Sequence, residues 1–235
     1  MMPFISDTVS NDEPFFTGQI VSILFKHDFS PFPIHFIYPL YTTLIYNTGR
    51  GESMRIGLVR HFRVNHEKPS FYMTSKQFKD WVRHYDESEI FHMDKKVAEI
   101  DWDICFSSDL PRAVHTAEKI ASCSIVENPL LREIPLAPFI KTKRKLPLAI
   151  WNLAGRLAWL FSHPSQPESR KDTIKRANEF IASLAKEEQK NILVVSHGFF
   201  LYVLAKELEK HGYAGPRKRR FENGELYIYE KEHSP

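Results

Sequence analysis

Residues 191–212 read Asn-Ile-Leu-Val-Val-Ser-His-Gly-Phe-Phe-Leu-Tyr-Val-Leu-Ala-Lys-Glu-Leu-Glu-Lys-His-Gly. The first five fit a strand, and the apolar run over 192–195 suits one buried on both faces. Ser196-His197-Gly198 interrupts it. Apolar residues then recur at 200, 201, 204 and 208, the spacing of a helix, which predicts a helix over 200–210 ending near Gly212. The unit of strand, polar turn and helix repeats elsewhere in the chain. Residues 56–59 and 102–106 read as strands and 124–126 as a short one. Thr74 or Ser75 can cap a helix through Phe78, Trp81, Val82 and Tyr85, and Pro111 suits the first turn of a helix over 113–121. Residues 146–161 and 171–186 have helical spacing. Asn223-Gly224 is a turn signal, and Phe221 with 226–229 suggests a final hairpin. Strands alternating with helices predict an α/β fold with a mainly parallel central sheet flanked by helices.

The composition bounds what such a chain can be. Its 235 residues are 43% hydrophobic and 26% charged, enough for one sizeable core and unlike a disordered, collagenous or polytopic membrane chain. A net charge of +3 excludes a histone-like polycation. Cys105 and Cys123 are the only cysteines, too few for a disulfide scaffold or a four-cysteine zinc site, so a reducing cytoplasm is the expected compartment. The stripe at Trp151, Leu153, Leu157, Trp159, Leu160 and Phe161 is expected to be core or lid, with a pocket wall or a dimer surface as alternatives. Oligomeric state is not legible.

Residues 1–53 differ from the rest. They carry five prolines, seven phenylalanines and a net charge of −3, leaving +6 on residues 54–235. Prolines break the apolar run over 20–46, which works against a spanning helix, and the opening ten residues lack the basic start of a signal peptide. No strand or helix period emerges, so 1–53 reads as a poorly structured extension and 54–235 as the folded domain. Met54 directly precedes the first strand, and Arg50-Gly51-Glu52 can be encoded by a purine-rich ribosome-binding sequence. The expectation is that Met54 is the native start, the alternative being a genuine extension that is disordered or touches a membrane.

The chemistry gathers where the strands end, which in open α/β sheets is where ligands bind. The first strand ends in Arg60-His61-Phe62-Arg63, the second in Ser107-Ser108-Asp109-Leu110-Pro111-Arg112, and the last in Ser196-His197-Gly198. If these strands are parallel neighbours, two histidines and two or three arginines converge. Arginine forks bind phosphoryl oxygens bidentately, helix N-termini add amides, and histidine is a competent nucleophile toward phosphorus.

The strand-Arg-His opening, the Ser-Ser-Asp-Leu-Pro-Arg-Ala-Val-His-Thr-Ala segment, Leu131-Arg132-Glu133 and Val195-Ser196-His197-Gly198 follow one another in an order that resembles the histidine phosphatase superfamily, also called phosphoglycerate-mutase-like. A stretch with Pro167-Glu168-Ser169, Asp172 and Arg176 adds to the likeness, which covers about residues 54–230. The resemblance implies a three-layer sandwich and a histidine acid-type phosphatase. It assigns His61 as the nucleophile, Arg60 and Arg112 as phosphoryl-binding residues, His197 as the second pocket histidine and Glu133 as general acid and base. Arg63 could touch a second anionic group of the substrate. No metal or other cofactor is implied, and the expected partner is a small phosphorylated substrate, with no nucleic acid and no membrane. The chain departs from the family pattern in three places. Phe62 replaces the usual Gly after the nucleophile and so bears on the pocket rim and substrate size. Glu67 stands where mutases favour Asn, and 134–139 lacks the usual Gly- and Trp-rich segment. The Glu67 departure and the lack of a long insertion favour hydrolysis over a mutase. A non-catalytic phospho-ligand or protein-binding relative is the remaining alternative.

Overall fold

The structure is a computed structural model, and it describes residues 54–66, 69–91, 100–184, 190–218 and 220–231. The expectations for residues 1–53 and for Glu67 lie outside the described residues. In chain order the elements are β1 (Met54–Arg60), β2 (Tyr72–Met73), α1 (Ser75–Glu87), β3 (Ile104–Ser107), α2 (Pro111–Ile120), β4 (Ile125–Glu127), a 3-10 turn (Pro129–Leu131), β5 (Leu146–Pro147), α3 (Leu148–Leu160), α4 (Arg170–Leu184), β6 (Asn191–Ser196), α5 (Gly198–Lys210) and β7 (Leu226–Lys231).

The apolar run of β6 lies at the middle of a five-stranded sheet ordered β4-β3-β6-β1-β7. β1 and β3 both pair with it in parallel, and β4 extends the parallel part beyond β3. Helices cover both faces, which is why β6 reads as a continuous apolar run rather than an alternating one. Ile192 and Val194 cluster with Phe180 of α4 and with Leu201 and Leu204 of α5. Leu193 and Val195 cluster with Ala113 and Ala117 of α2 and with Trp102. All four β6 residues are fully buried, and each such side chain stabilises the fold by about 1.5–3 kcal/mol. On the α2 face Gly57 leaves room for Trp102, since a Cβ at Gly57 would stand 2.4 Å from the indole edge. The three-layer α/β architecture expected from the sequence is the observed one.

Local signals explain the element ends. Thr74, not Ser75, caps α1, with a reciprocal bond between the Thr74 amide and the Gln77 side chain (2.9 Å). The Ser75 hydroxyl instead donates to the Thr142 carbonyl (2.9 Å), tying α1 to the loop before β5.

Two expectations are corrected. The helix over 146–161 begins only at Leu148, because Leu146–Pro147 pairs with Tyr72–Met73 in a separate two-stranded sheet. Pro147 offers no N–H to that ladder, which a strand this short at an edge tolerates, and two apolar residues carry no period of their own. The final hairpin does not form either. β7 pairs antiparallel with β1 along the edge opposite β6. Phe221 is buried against Tyr227 instead, with ring centroids 4.8 Å apart. The Asn223-Gly224 turn is present, with Gly224 at φ 68, and its amide donates to the Arg60 carbonyl (2.8 Å).

The aromatic stripe of α3 divides between two faces. Trp151 and Trp159 point inward, Trp151 stacking on Phe78, whereas Leu153, Leu157, Leu160 and Phe161 are exposed. Among the described residues no helix is long and apolar enough to cross a membrane.

Candidate active site

β1, β6 and β3 are parallel neighbours in register, with Arg60 beside Ser196 and Ser107 beside Val195. Their carboxyl ends therefore deliver Arg60-His61, Ser196-His197 and Ser107-Ser108 to one place. The imidazole centroids of His61 and His197 are 5.1 Å apart.

His61 is held at its backbone. Its amide donates to the Ser196 carbonyl (2.9 Å), and its carbonyl accepts from Asn223 Nδ2 (2.6 Å). The next amide, Phe62, donates to Thr116 Oγ1 (2.9 Å). The ring is held too. His61 Nδ1 lies 2.6 Å from the Phe62 carbonyl oxygen. A carbonyl only accepts, so Nδ1 carries the proton and Nε2 carries the free lone pair. Burial first, then the positive charge of Arg112, pushes the His61 pKa down to about 3; the Phe62 bond opposes this and Arg60 adds to it. At neutral pH the ring is an unprotonated base aimed through Nε2. Phe62 is fully buried, so it belongs to the core, and the expectation that it shapes the pocket rim is corrected.

His197 is fully buried at the N-terminus of α5. Its Nε2 lies 2.8 Å from Ser108 Oγ. Burial and then Arg112, His61, Arg60 and Arg176 hold its pKa well below the usual histidine value. The residue after it is a glycine packed against Arg60. A Cβ at Gly198 would lie 3.0 Å from Arg60 Nε and Cζ, so this glycine lets the guanidinium rest against the start of α5.

The two arginines are anchored by some nitrogens and free at others. Arg60 Nη1 donates to the Phe221 carbonyl (3.0 Å). Arg112 is 1% exposed and spans Asp86, with Nη1 on its carbonyl and Nη2 on Oδ1, each at 3.0 Å. Burial raises the Asp86 carboxyl pKa, and Arg112 opposes that rise. Arg60 Nε, Arg112 Nε and His197 Nδ1 are buried without a hydrogen-bond partner among the described residues. A buried donor left unpaired costs about 1–3 kcal/mol, and three in one cluster describe a cradle for an anion.

A pocket of about 620 Å3 opens beside Arg112 and Glu133. Glu133 accepts from the amides of Ile134 (2.9 Å), Phe200 (3.1 Å) and Phe199 (3.4 Å), the last two in the first turn of α5. Arg63 is placed elsewhere. It is exposed and lines a different hollow with Phe91, Glu222, Asn223 and Glu225. The structure thus brings Arg60, His61, Arg112, Glu133 and His197 together at the strand ends, where Arg112 and Glu133 also line the pocket, and it places Arg63 apart from them. Sequence reasoning missed Asp86, Thr116, Asn223 and Arg156, and it took Ser108 only as the start of a helix. Ser108 and Thr116 lay inside the quoted Ser-Ser-Asp-Leu-Pro-Arg-Ala-Val-His-Thr-Ala segment and Asn223 inside the Asn-Gly turn signal, whereas Asp86 and Arg156 lay in no legible motif. Among the described residues no three His, Cys, Asp or Glu side chains gather as metal ligands.

The buried histidines make stability depend on pH. Between pH 6.5 and about 3 the unfolded chain binds a proton at His61 that the folded chain does not. Stability is therefore highest above pH 6.5 and falls as the pH drops through that window, by at most about 1.4 kcal/mol per pH unit for each such histidine. His197 acts in the same direction. We expect the urea midpoint of the wild type to drop between pH 7 and 4 more steeply than that of His61→Asn. Parallel slopes would show that His61 is not buried as a neutral base.

A family model described as histidine phosphatase superfamily (branch 1) matches residues 91–234, a span that holds Arg112, Glu133 and His197 and begins after His61. No curated protein matches the sequence. Among solved structures, mycobacterial hydrolase 2 is similar at 20% identity with a TM-score of 0.52, over 78% of this chain and 84% of that one. The alpha-ribazole phosphatase from Shigella flexneri aligns at 19% identity and TM-score 0.45 over 74% and 96% of the two chains. Mycobacterial glucosyl-3-phosphoglycerate phosphatase aligns at 20% and 0.43 over 67% and 80%. At these identities the first likeness speaks for the fold alone.

Proposed function

Because the chain belongs to the histidine phosphatase superfamily, we propose that it hydrolyses a small phosphomonoester through a phosphohistidine on His61, without a metal or other cofactor. The observation that carries this reading is the anion cradle. Arg60 Nε, Arg112 Nε and His197 Nδ1 are buried and, among the described residues, unpartnered beside a histidine whose Nε2 is unprotonated. A site that only bound a phosphorylated ligand would need the cradle but not the lone pair.

In the proposed mechanism the phosphoryl oxygens accept from Arg60, Arg112 and His197. His61 Nε2 attacks phosphorus in line, and the P–N bond forms as the ester P–O bond breaks. Glu133 gives its proton to the leaving oxygen, then takes one from the water that attacks the phosphohistidine. That attack breaks the P–N bond and returns His61 with inorganic phosphate. Ser108 Oγ already accepts from the Leu110 amide (3.3 Å). Its hydroxyl proton is free for His197 Nε2, which leaves the ring's own proton on Nδ1 for a phosphoryl oxygen. Fixed donors of this kind act on the charge that develops in transfer, and positioning with electrostatics supplies most of the rate. Asp86 takes no proton in this scheme; it holds Arg112.

The test is phosphate release by the full chain from a broad phosphomonoester panel with a chelator present. We expect turnover that the chelator does not change. Loss of turnover with chelator, restored by a divalent cation, would overturn the metal-free mechanism. Transfer of the phosphoryl group back to the organic product, without free phosphate, would identify a phosphoglycerate-type mutase instead.

A further inference from the structure

Four arginines line the pocket, and three are matched by carboxylates. Arg112 pairs with Asp86 (3.0 Å), Arg176 with Glu168 (3.0 Å) and Arg132 with Asp109. The fourth, Arg156 of α3, has no carboxylate within ion-pair distance among the described residues. Its guanidinium lies over the Phe199 ring, 4.1 Å from the centroid, and its Nη1 reaches the Ile134 carbonyl at a long 3.4 Å. Burial lowers its pKa, opposed by the charge of Glu133. The Phe199 ring covers the guanidinium while most of its donors stay unused among the described residues, and a partly desolvated cation of this kind favours an oxyanion.

Much of the remaining lining is apolar. Trp81, Val82, Tyr85, Leu110, Ile134 and Leu136 all line the pocket. Asn152, one helical turn before Arg156, adds a polar group on the same side of α3.

We propose that Arg156 is a substrate-binding residue for a second anionic group, so that the substrate is a phosphomonoester with an apolar body that carries a further carboxylate or phosphate. This rests on the phosphatase reading above. Arg60, Arg112 and His197 take the reacting phosphoryl group. The apolar walls take the body, and Arg156 takes the distal anion.

The probes are phenyl phosphate, its 3- and 4-carboxy derivatives, the neutral 3- and 4-carbamoyl isosteres, and 1,4-phenylene bisphosphate for a distal phosphate. With wild type we expect at least one carboxy ester or the bisphosphate to show a KM about tenfold or more below its neutral counterpart, the worth of one charge-assisted hydrogen-bonded contact. In Arg156→Met that ratio should collapse toward one, and in Arg156→Lys it should be intermediate. Comparing each ratio between variant and wild type cancels leaving-group effects and any general loss of activity. Hydrolysis of phenyl phosphate with no preference for a charged ester overturns the inference and leaves the phosphatase reading intact. So does a preference that survives in Arg156→Met. A tenfold preference for the bisphosphate alone would name the second group as a phosphate. Failure to hydrolyse any ester overturns both. The wild-type comparison needs no variant, so it stands even where Arg156→Met folds poorly.

Discussion

His61→Ala is expected to lose phosphatase turnover by at least about 10,000-fold while keeping its fold, because in the proposed mechanism removal of the nucleophile abolishes the covalent route and leaves only what binding and electrostatics supply. Two features make His61 the residue to test. The Phe62 carbonyl holds the Nδ1 proton at 2.6 Å, so the reactive lone pair is fixed on Nε2. Burial and Arg112 keep the ring unprotonated down to about pH 3, so no adjacent base is needed to activate it. The covalent step gives a second readout. In wild type quenched in alkali during turnover, labelled phosphate should remain on the protein through an acid-labile bond, and His61→Ala should trap none. A variant that keeps even a hundredth of wild-type activity, or a wild type that traps label at another residue, would remove His61 from the mechanism. The mutation deletes a ring with 2% exposure, so circular dichroism and the urea midpoint must accompany it.

The residues legible in the sequence share one property: each stands where a local pattern also fixes its place in space. Arg60, His61 and His197 follow apolar runs directly, and parallel strands ending together bring such residues to one edge. The α/β class was legible for the same reason, since a strand buried on both faces and a helix with a 3.6 period both leave local traces. What escaped depended on contacts distant in sequence. Asp86 meets Arg112 across 26 residues from the end of α1, and Arg156 meets Ile134 across 22. No short spacing encodes either pairing. The same limit misled the reading of β7. Asn223-Gly224 correctly signals a turn, but which strand the returning segment joins is decided by the free edge of β1. Phe62 stands beside His61 and invited a functional reading, yet burial, which adjacency cannot report, makes it core.

Arg112→Ala is expected to lower kcat/KM by about 1,000-fold or more, and Arg112→Lys by at least about 100-fold. Removing a single fixed donor to a developing charge already costs 100- to 1,000-fold. Arg112 contributes a full charge as well as Nε. Lysine retains the charge but not the fork, so it cannot span the Asp86 carbonyl and carboxylate while still offering a donor to the phosphoryl group. Loss of activity alone would not separate a binding role from a structural one, because the side chain is 1% exposed and its removal strands Asp86. The pH profile does separate them. The charge of Arg112 is the second-largest cause, after burial, of the lowered pKa of both His61 and His197. Without that cation the protonated imidazole becomes less unfavourable, so both pKa values rise toward 6.5. The acid limb of kcat/KM in Arg112→Ala should therefore move to higher pH, whereas Arg112→Lys should hold it closer to the wild-type position. An acid limb that stays in place in a folded Arg112→Ala would mean that the guanidinium does not face the histidine pair. In that case the anion cradle would rest on Arg60 and His197 alone, too little to bind a dianionic phosphoryl group in a buried site.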